Sequence, residues 1–276
     1  MKEKNRNRKM IRTITGITVI LASLFICYVF WRLPSDWKEK ILFPITLPEV
    51  ATSAVTNHAN NSGFDDKIWI HRVNSIERVK IMAEKYKGIE MDVVWDMDSA
   101  QFYVEHDPNP EVYLPLYQMF DNIKNIQEHY FWLDFKNLNI DNKDMALDYL
   151  LRLFEKYVIN LKNVILESSE PYSLSEFTTA GVATSFYLPT LNPYIMSDTD
   201  IIHFAKQIDS TLLKSNVNYV STNHLSYHFV KKYFPESRIL LWHLSQNRFT
   251  SYVRKKLVND DHVKVILTQE YSEGYR

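Results

Sequence analysis

The feature that most constrains this chain is an alternation. From residue 67 onward, short β-type runs and helical patterns take turns along the sequence. The strand-like runs are KIWIH (67–71), GIEMDVVW (88–95), YFWLDFK (130–136), NVILES (163–168), VATSFYL (182–188), NYVST (218–222), RILLWHL (238–244) and VKVILT (263–268). Between them lie helical stretches such as SIERVKIMAEKY (75–86), KDMALDYLLRLFEKYV (143–158), SDTDIIHFAKQIDSTLLKS (197–215) and LSYHFVKKYF (225–234). Strands separated by helices imply a parallel sheet, and eight is the number that closes a (β/α)8 TIM-type barrel. A doubly wound open sheet is the other arrangement that fits. A further run, QFYVEH (101–106), follows the second strand closely and is expected to pair with it locally.

The N-terminal region is of another kind. Thr13 to Trp31 runs 19 residues without a charge, close to the ~20 needed to span a bilayer as a helix. Lys2, Lys4, Arg6, Arg8, Lys9 and Arg12 precede it, and only Arg32, Lys38 and Lys40 follow closely. The positive-inside rule then puts the N-terminus in the cytoplasm. The expected organisation is a cytoplasmic basic tail (1–12), a single transmembrane helix (13–31), a stalk (32–63) with Pro34, Pro44 and Pro48, and a barrel domain (64–276) on the outer, periplasmic or extracellular, side. A cleaved signal peptide competes, but no A-x-A site closes the apolar run. Cys27, the only cysteine, lies inside this run, so the outer domain has neither a disulfide nor a cysteine metal site. Beyond Arg32 the chain carries 25 Lys and Arg against 32 Asp and Glu, a net charge of −7. A basic nucleic-acid-binding face is not indicated. Five glycines and no GxxxxGK[ST] or GxGxxG segment argue against a Gly-rich phosphate loop. No G-x-S-x-G elbow marks a serine hydrolase.

In a barrel, functional groups gather at the C-terminal ends of the strands. His71, Glu90, Asp92, Asp134, Lys136, Glu167, Ser221 and Trp242 all fall on or next to such ends. Glu90 and Asp92 are two residues apart in one strand, so both carboxylates point to one face. Asp134 joins them from the next strand. Three carboxylates at one mouth need a positive charge, which Lys136 or a hard cation such as Mg²⁺ or Ca²⁺ can supply. The all-oxygen set taken together favours the metal. His71 and His106 flank this group and can serve as an acid/base pair, although a lone strand-end histidine is more often structural. Arg72 and Lys136 suit phosphate oxygens, and Trp242 is placed to wall the pocket. The combination points to phosphoester chemistry on a phosphodiester small molecule or a lipid headgroup.

The segments IHRVNS, GIEMDVVWD, VEHDP and FWLDFK, followed by RILLWHL and VKVILTQE, resemble the glycerophosphodiester phosphodiesterase superfamily in their order over roughly residues 67–270. The resemblance implies a TIM barrel with His71 and His106 as the acid/base pair. Glu90, Asp92 and Asp134 would hold a divalent cation, while Arg72 and Lys136 contact phosphate. An internal hydroxyl of the substrate would attack phosphorus to give a cyclic phosphate that water can then open. The pattern departs in places. Val73 stands where a glycine commonly follows His-Arg, and HRVNS is closer to the menorin-like branch. Asp134 replaces the usual Glu, as in menorin-like and sphingomyelinase D-like relatives, and no Arg-Thr-Thr follows His106-Asp107. The expected protein is a membrane-anchored, metal-dependent phosphodiesterase, a phosphoric diester hydrolase of glycerophosphodiesters or lysophospholipid-like molecules. A lyase that stops at the cyclic product, or a non-catalytic ligand-binding barrel at the membrane, are the alternatives. The presence of both histidines favours catalysis, since binding alone needs no acid/base pair.

Overall fold

The computed structural model describes residues 2–32, 45–58, 63–106, 114–242 and 255–269, with side chains in the first of these segments described for 15–31 only. It divides into two units, Met1–Thr46 and Leu47–Arg276. The first unit contains one helix, α1 (Lys2–Arg32), which takes in the whole uncharged run. Its apolar side chains, among them Ile17, Leu21, Leu24 and Phe25, are exposed. Among the described residues no helix is long and apolar enough to cross a membrane. The described side chains begin at Thr15 and stop short of the ~20 residues a span requires, so the expected transmembrane helix over 13–31 finds no support here.

The second unit holds nine strands: β1 (Ile68–Ile70), β2 (Gly88–Asp96), β3 (Gln101–Val104), β4 (Tyr130–Phe135), β5 (Val164–Ser168), β6 (Ala183–Tyr187), β7 (Tyr219–Asn223), β8 (Ile239–Trp242) and β9 (Val263–Thr268). Eight of them pair in parallel in the order β1-β9-β8-β7-β6-β5-β4-β2, and β2 returns to β1 to close the ring. The (β/α)8 expectation is met and the open sheet is excluded. β3 lies antiparallel on β2, with Val93 opposite Val104, as the short run after the second strand implied. Strands buried on both faces read as nearly unbroken apolar runs, and every residue of β2 from Gly88 to Trp95 is buried.

The helices between the strands follow from periodicity and capping. In α2 (Ile76–Met82), the Ser75 hydroxyl accepts from the Arg78 N–H at the N-terminus. After α3 (Leu116–Asp121) comes α4 (Lys143–Lys156), which buries Ala146, Leu150, Leu153 and Phe154 at the i, i+4, i+7, i+8 spacing of one helix face. A short α5 (Ser175–Thr179) precedes α6 (Asp198–Lys214), which buries Ile201, Ala205, Ile208 and Leu212. The last named helix is α7 (Tyr227–Tyr233).

Alternate strand residues fill the barrel. Trp69, Tyr130, Trp132, Ile165, Ala183, Tyr219, Leu240, Val265 and Leu267 form one inward cluster. Near the N-terminal ends of the strands, Trp69 stacks on Tyr130 at 5.7 Å and 6°. Phe64 meets both rings edge-on at 4.8 and 5.2 Å. Gly88 makes this layer possible, because a Cβ there would lie 2.1 Å from Trp69 Cγ.

The segment expected to be a free stalk is partly built into the barrel. Asp209 Oδ1 accepts from the N–H groups of Ser53 and Ala54 at 2.7 and 2.8 Å. The Asn57 N–H donates to Val217 O at 2.7 Å, and Lys232 Nζ donates to Leu47 O at 2.7 Å. Leu47, Ala54 and Thr56 are buried. The compact unit that holds the barrel takes in this segment from Leu47 onward. Prolines and polar residues suggested a linker, but hydrogen bonds to distant residues tie 47–58 down as a strap. Of the rest of the expected stalk, 33–44 and 59–62 lie outside the described residues.

Candidate active site

Strand register builds the site. Asp92 lies opposite Asp134, and Asp134 opposite Glu167, so β2, β4 and β5 present three carboxylates in one row. Glu90 sits two residues earlier on the same face of β2. Oxygens of Glu90, Asp92 and Asp134 come within 4.8 Å of one another, and Glu90 and Asp92 are only 2% and 1% exposed. Lys136, just past β4, places Nζ 2.7 Å from Asp92 Oδ1 and also pairs with Asp134. Both sequence readings of these carboxylates are thus present together: a lysine partner, and a converging oxygen set.

The loop after β1 supplies the rest. Arg72 has φ 56, a left-handed conformation that is uncommon for a side chain-bearing residue. That turn aims its N–H at Glu90 Oε2, at 2.5 Å. Two residues on, the Asn74 amide donates to Asp92 Oδ2 at 2.6 Å and accepts from the Asp92 N–H at 3.1 Å. His71 Nε2 lies 3.6 Å from Glu90 Oε2, and its Nδ1 is 3.2 Å from Gln269 Nε2. His106 follows β3, with Nε2 3.3 Å from Arg72 Nη2. Asp107 lies outside the described residues. Trp242 ends β8 and stacks on Tyr187 at 5.6 Å and 10°. Among the described residues, all of these groups except Asn74 and Gln269 line one cavity of about 90 Å³.

The electrostatics reflect burial and crowding. Burial, with Asp92 and Asp134 beside it, holds the Glu90 carboxyl well above the ordinary glutamate range. Burial also raises Asp134, more than its pairing with Lys136 lowers it. For Asp92 burial acts in the same direction, but the Lys136 charge and the bonds from Lys136 and Asn74 prevail, and its pKa is lowered. Lys136 is opposed by burial yet raised overall by Asp134 and Asp92. His71 falls to about 4, first through burial and then through the Arg72 charge, so it is neutral near pH 7. Three clustered carboxylates face one lysine, and an all-oxygen set with surplus negative charge fits a hard divalent cation.

Every residue given a role from the sequence lines this mouth: His71, Arg72, Glu90, Asp92, His106, Asp134, Lys136 and Trp242. Asn74, Gln269 and Tyr187 were not foreseen. Asn74 and Gln269 act from loops that carry no periodic signal. Glu167 had a signal, a carboxylate at a strand end, but no role was assigned to it.

Fold and site together define a (β/α)8 barrel with an acidic, histidine-flanked mouth at the C-terminal ends of its strands. Among solved structures the chain is similar to a glycerophosphodiester phosphodiesterase from Parabacteroides distasonis, with a TM-score of 0.52, 15% identity, and coverage of 74% of this chain and 92% of that one. It is also similar to a phosphodiesterase from Oleispira antarctica solved with the product sn-glycerol-3-phosphate, with a TM-score of 0.51, 9% identity, and coverage of 73% and 92%. The chain therefore has the barrel fold of glycerophosphodiester phosphodiesterases. No family model matches the sequence, and no curated protein matches it.

Proposed function

We propose that this protein is a metal-dependent phosphodiesterase acting on glycerophosphodiesters or lysophospholipid-like headgroups. The observation that carries the reading is that His71 and His106 both line the cavity that Glu90, Asp92, Asp134, Arg72 and Lys136 also line. Glu90, Asp92 and Asp134 would hold the divalent cation, Mg²⁺ or Ca²⁺, which supplies Lewis-acid stabilisation of phosphate charge. The guanidinium of Arg72 and the ammonium of Lys136 would orient the phosphate oxygens. One imidazole would take the proton of an internal substrate hydroxyl as its oxygen attacks phosphorus. The other would deliver a proton to the departing alkoxide oxygen. Gln269 would fix the ring of His71, and Asn74 the carboxylate of Asp92.

The uncharged run Thr13–Trp31 and its lopsided basic flanks support a further part of the reading, an N-terminal anchor with the barrel on the outer side of the membrane. Protease added to intact cells should then reach the barrel; protection until lysis would reverse this orientation. The chemistry is tested by incubating the full-length protein, purified in detergent, with a panel of glycerophosphodiesters and Mg²⁺ or Ca²⁺, and following products by phosphorus NMR. Turnover that stops on chelation supports the reading, and lasting accumulation of a cyclic phosphate identifies a lyase. No turnover of any diester with either metal rejects it.

A further inference from the structure

One wall of the cavity takes no part in the chemistry above. Glu167 is 1% exposed, lies outside the Glu90–Asp92–Asp134 cluster, and has no hydrogen-bond partner at Oε2. The indole N–H groups of Trp132 and Trp242 are likewise buried without a partner. Ser185, opposite Glu167 in the register, and Ser221 flank its carboxyl with hydroxyls. Glu167, Trp132 and Trp242 line the same cavity as His71 and Lys136. A buried polar group left unpaired is costly, and folded proteins leave few of them. Three in the lining of one small cavity mark a surface completed by a ligand.

The mixture of groups selects the ligand chemistry. A carboxyl and two N–H donors lining one small cavity match a group that both donates and accepts, which is a hydroxyl. An ammonium only donates and leaves the indoles unmet, whereas a second phosphate only accepts and is repelled by the carboxylates. A hydroxyl also suits the Glu167 carboxyl whether or not it carries a proton. We propose that Glu167, with Trp132 and Trp242, is the specificity-determining wall that reads the hydroxyl groups on the alcohol portion of the substrate. The proposal rests on the phosphoester reading of the same mouth.

The test compares two phosphate monoesters of equal carbon number, sn-glycerol 3-phosphate and n-propyl phosphate, by calorimetry on the full-length protein with Mg²⁺. The wild type should bind the glycerol ester at least ~10-fold more tightly, the worth of about 1.4 kcal/mol of hydrogen bonding. Glu167→Ala should shrink the gap below ~3-fold by weakening the glycerol ester alone, and Glu167→Gln, which keeps an acceptor oxygen, should restore part of it. Trp242→Phe, which removes the N–H and keeps a ring, should narrow the gap in the same direction and serves if Glu167→Ala fails to fold. Equal binding of the two esters by the wild type overturns the proposal, as does an equal loss for both in a folded Glu167→Ala. Binding of neither ester by the wild type instead rejects the phosphoester reading, and the wall's role with it.

Discussion

Replacing Gly88 by alanine tests whether the aromatic layer near the base of the barrel is as tightly built as its geometry implies. An added Cβ would lie 2.1 Å from Trp69 Cγ and 2.2 Å from both Cδ1 and Cδ2. Those atoms belong to a rigid ring, and Trp69 is fully buried. The ring is pinned between Tyr130, stacked at 5.7 Å, and Phe64, edge-on at 4.8 Å. No flexible side-chain end can yield, so either β2 shifts or the indole leaves its stack. Overpacking of a well-filled core costs about 1–3 kcal/mol, and a clash against a ring held on two sides belongs at the upper end. About 3 kcal/mol corresponds to a fall in Tm of roughly 6–12 °C for a domain of this size. Because β2 also carries Glu90 and Asp92, metal binding should weaken along with stability. Denaturant unfolding followed by tryptophan fluorescence measures the loss, and Gly88→Ala combined with Trp69→Leu should be less destabilised than the two single effects added together. A Gly88→Ala protein within about 0.5 kcal/mol of wild type would refute the reasoning, since surface-like tolerance at this position means the layer is loosely packed.

His71→Ala and His106→Ala should each lower turnover by at least ~10²-fold with little change in metal affinity, and the double variant should lose less than the product of the two, because an acid/base pair fails as a unit; near-normal turnover in either single variant, measured on a diester the wild type cleaves, assigns that histidine a structural role. Glu90→Gln should weaken Mg²⁺ or Ca²⁺ binding by at least ~10-fold in calorimetry. The same change should raise the Tm of the metal-free protein near pH 7: the folded-state pKa of Glu90 is raised, so its stability contribution is present at low pH and lost as pH rises beyond the ordinary glutamate range. A lower metal-free Tm for Glu90→Gln would contradict that sign. Asp209→Ala removes the acceptor for two backbone N–H groups of the strap and should cost about 1–3 kcal/mol while opening residues 47–58 to protease; an unchanged melting curve and digestion pattern would show that the strap is held by its other contacts.

The barrel was legible because its signal is repeated. Eight apolar runs recur in the right alternation, and each is short enough and β-rich enough to stand apart from the helical stretches between them. α4 and α6 were readable for the same reason, since each buries one face at helical spacing over several turns. α3 and α5 were not, because Leu116–Asp121 and Ser175–Thr179 are too short to show a period. The strap misled for a different reason. Composition records which residues avoid regular structure, and Pro48, Asn57 and His58 do avoid it. Composition does not record that an irregular segment can be held by its backbone, and the partners here, Asp209, Val217 and Lys232, lie more than 150 residues away.

The site divides along the same line. Residues whose chemistry is tied to strand position were visible, because a two-residue spacing fixes a shared face whatever the rest of the chain does. Glu90 and Asp92 illustrate this, and register then adds Asp134 and Glu167 in one row. Residues that act on those side chains were invisible. Asn74 grips Asp92 only because the left-handed turn at Arg72 swings the loop back across β2. Gln269 meets His71 only because β9 closes the barrel against β1. Closure also explains how a strand tolerates Glu90 and Asp92 at all. In an open sheet the pair would face a helix layer and repel without relief. In the closed barrel Lys136 arrives from the neighbouring strand to neutralise part of the charge, an N–H from the Arg72 turn caps Glu90, and the surplus that remains is what a bound cation would offset.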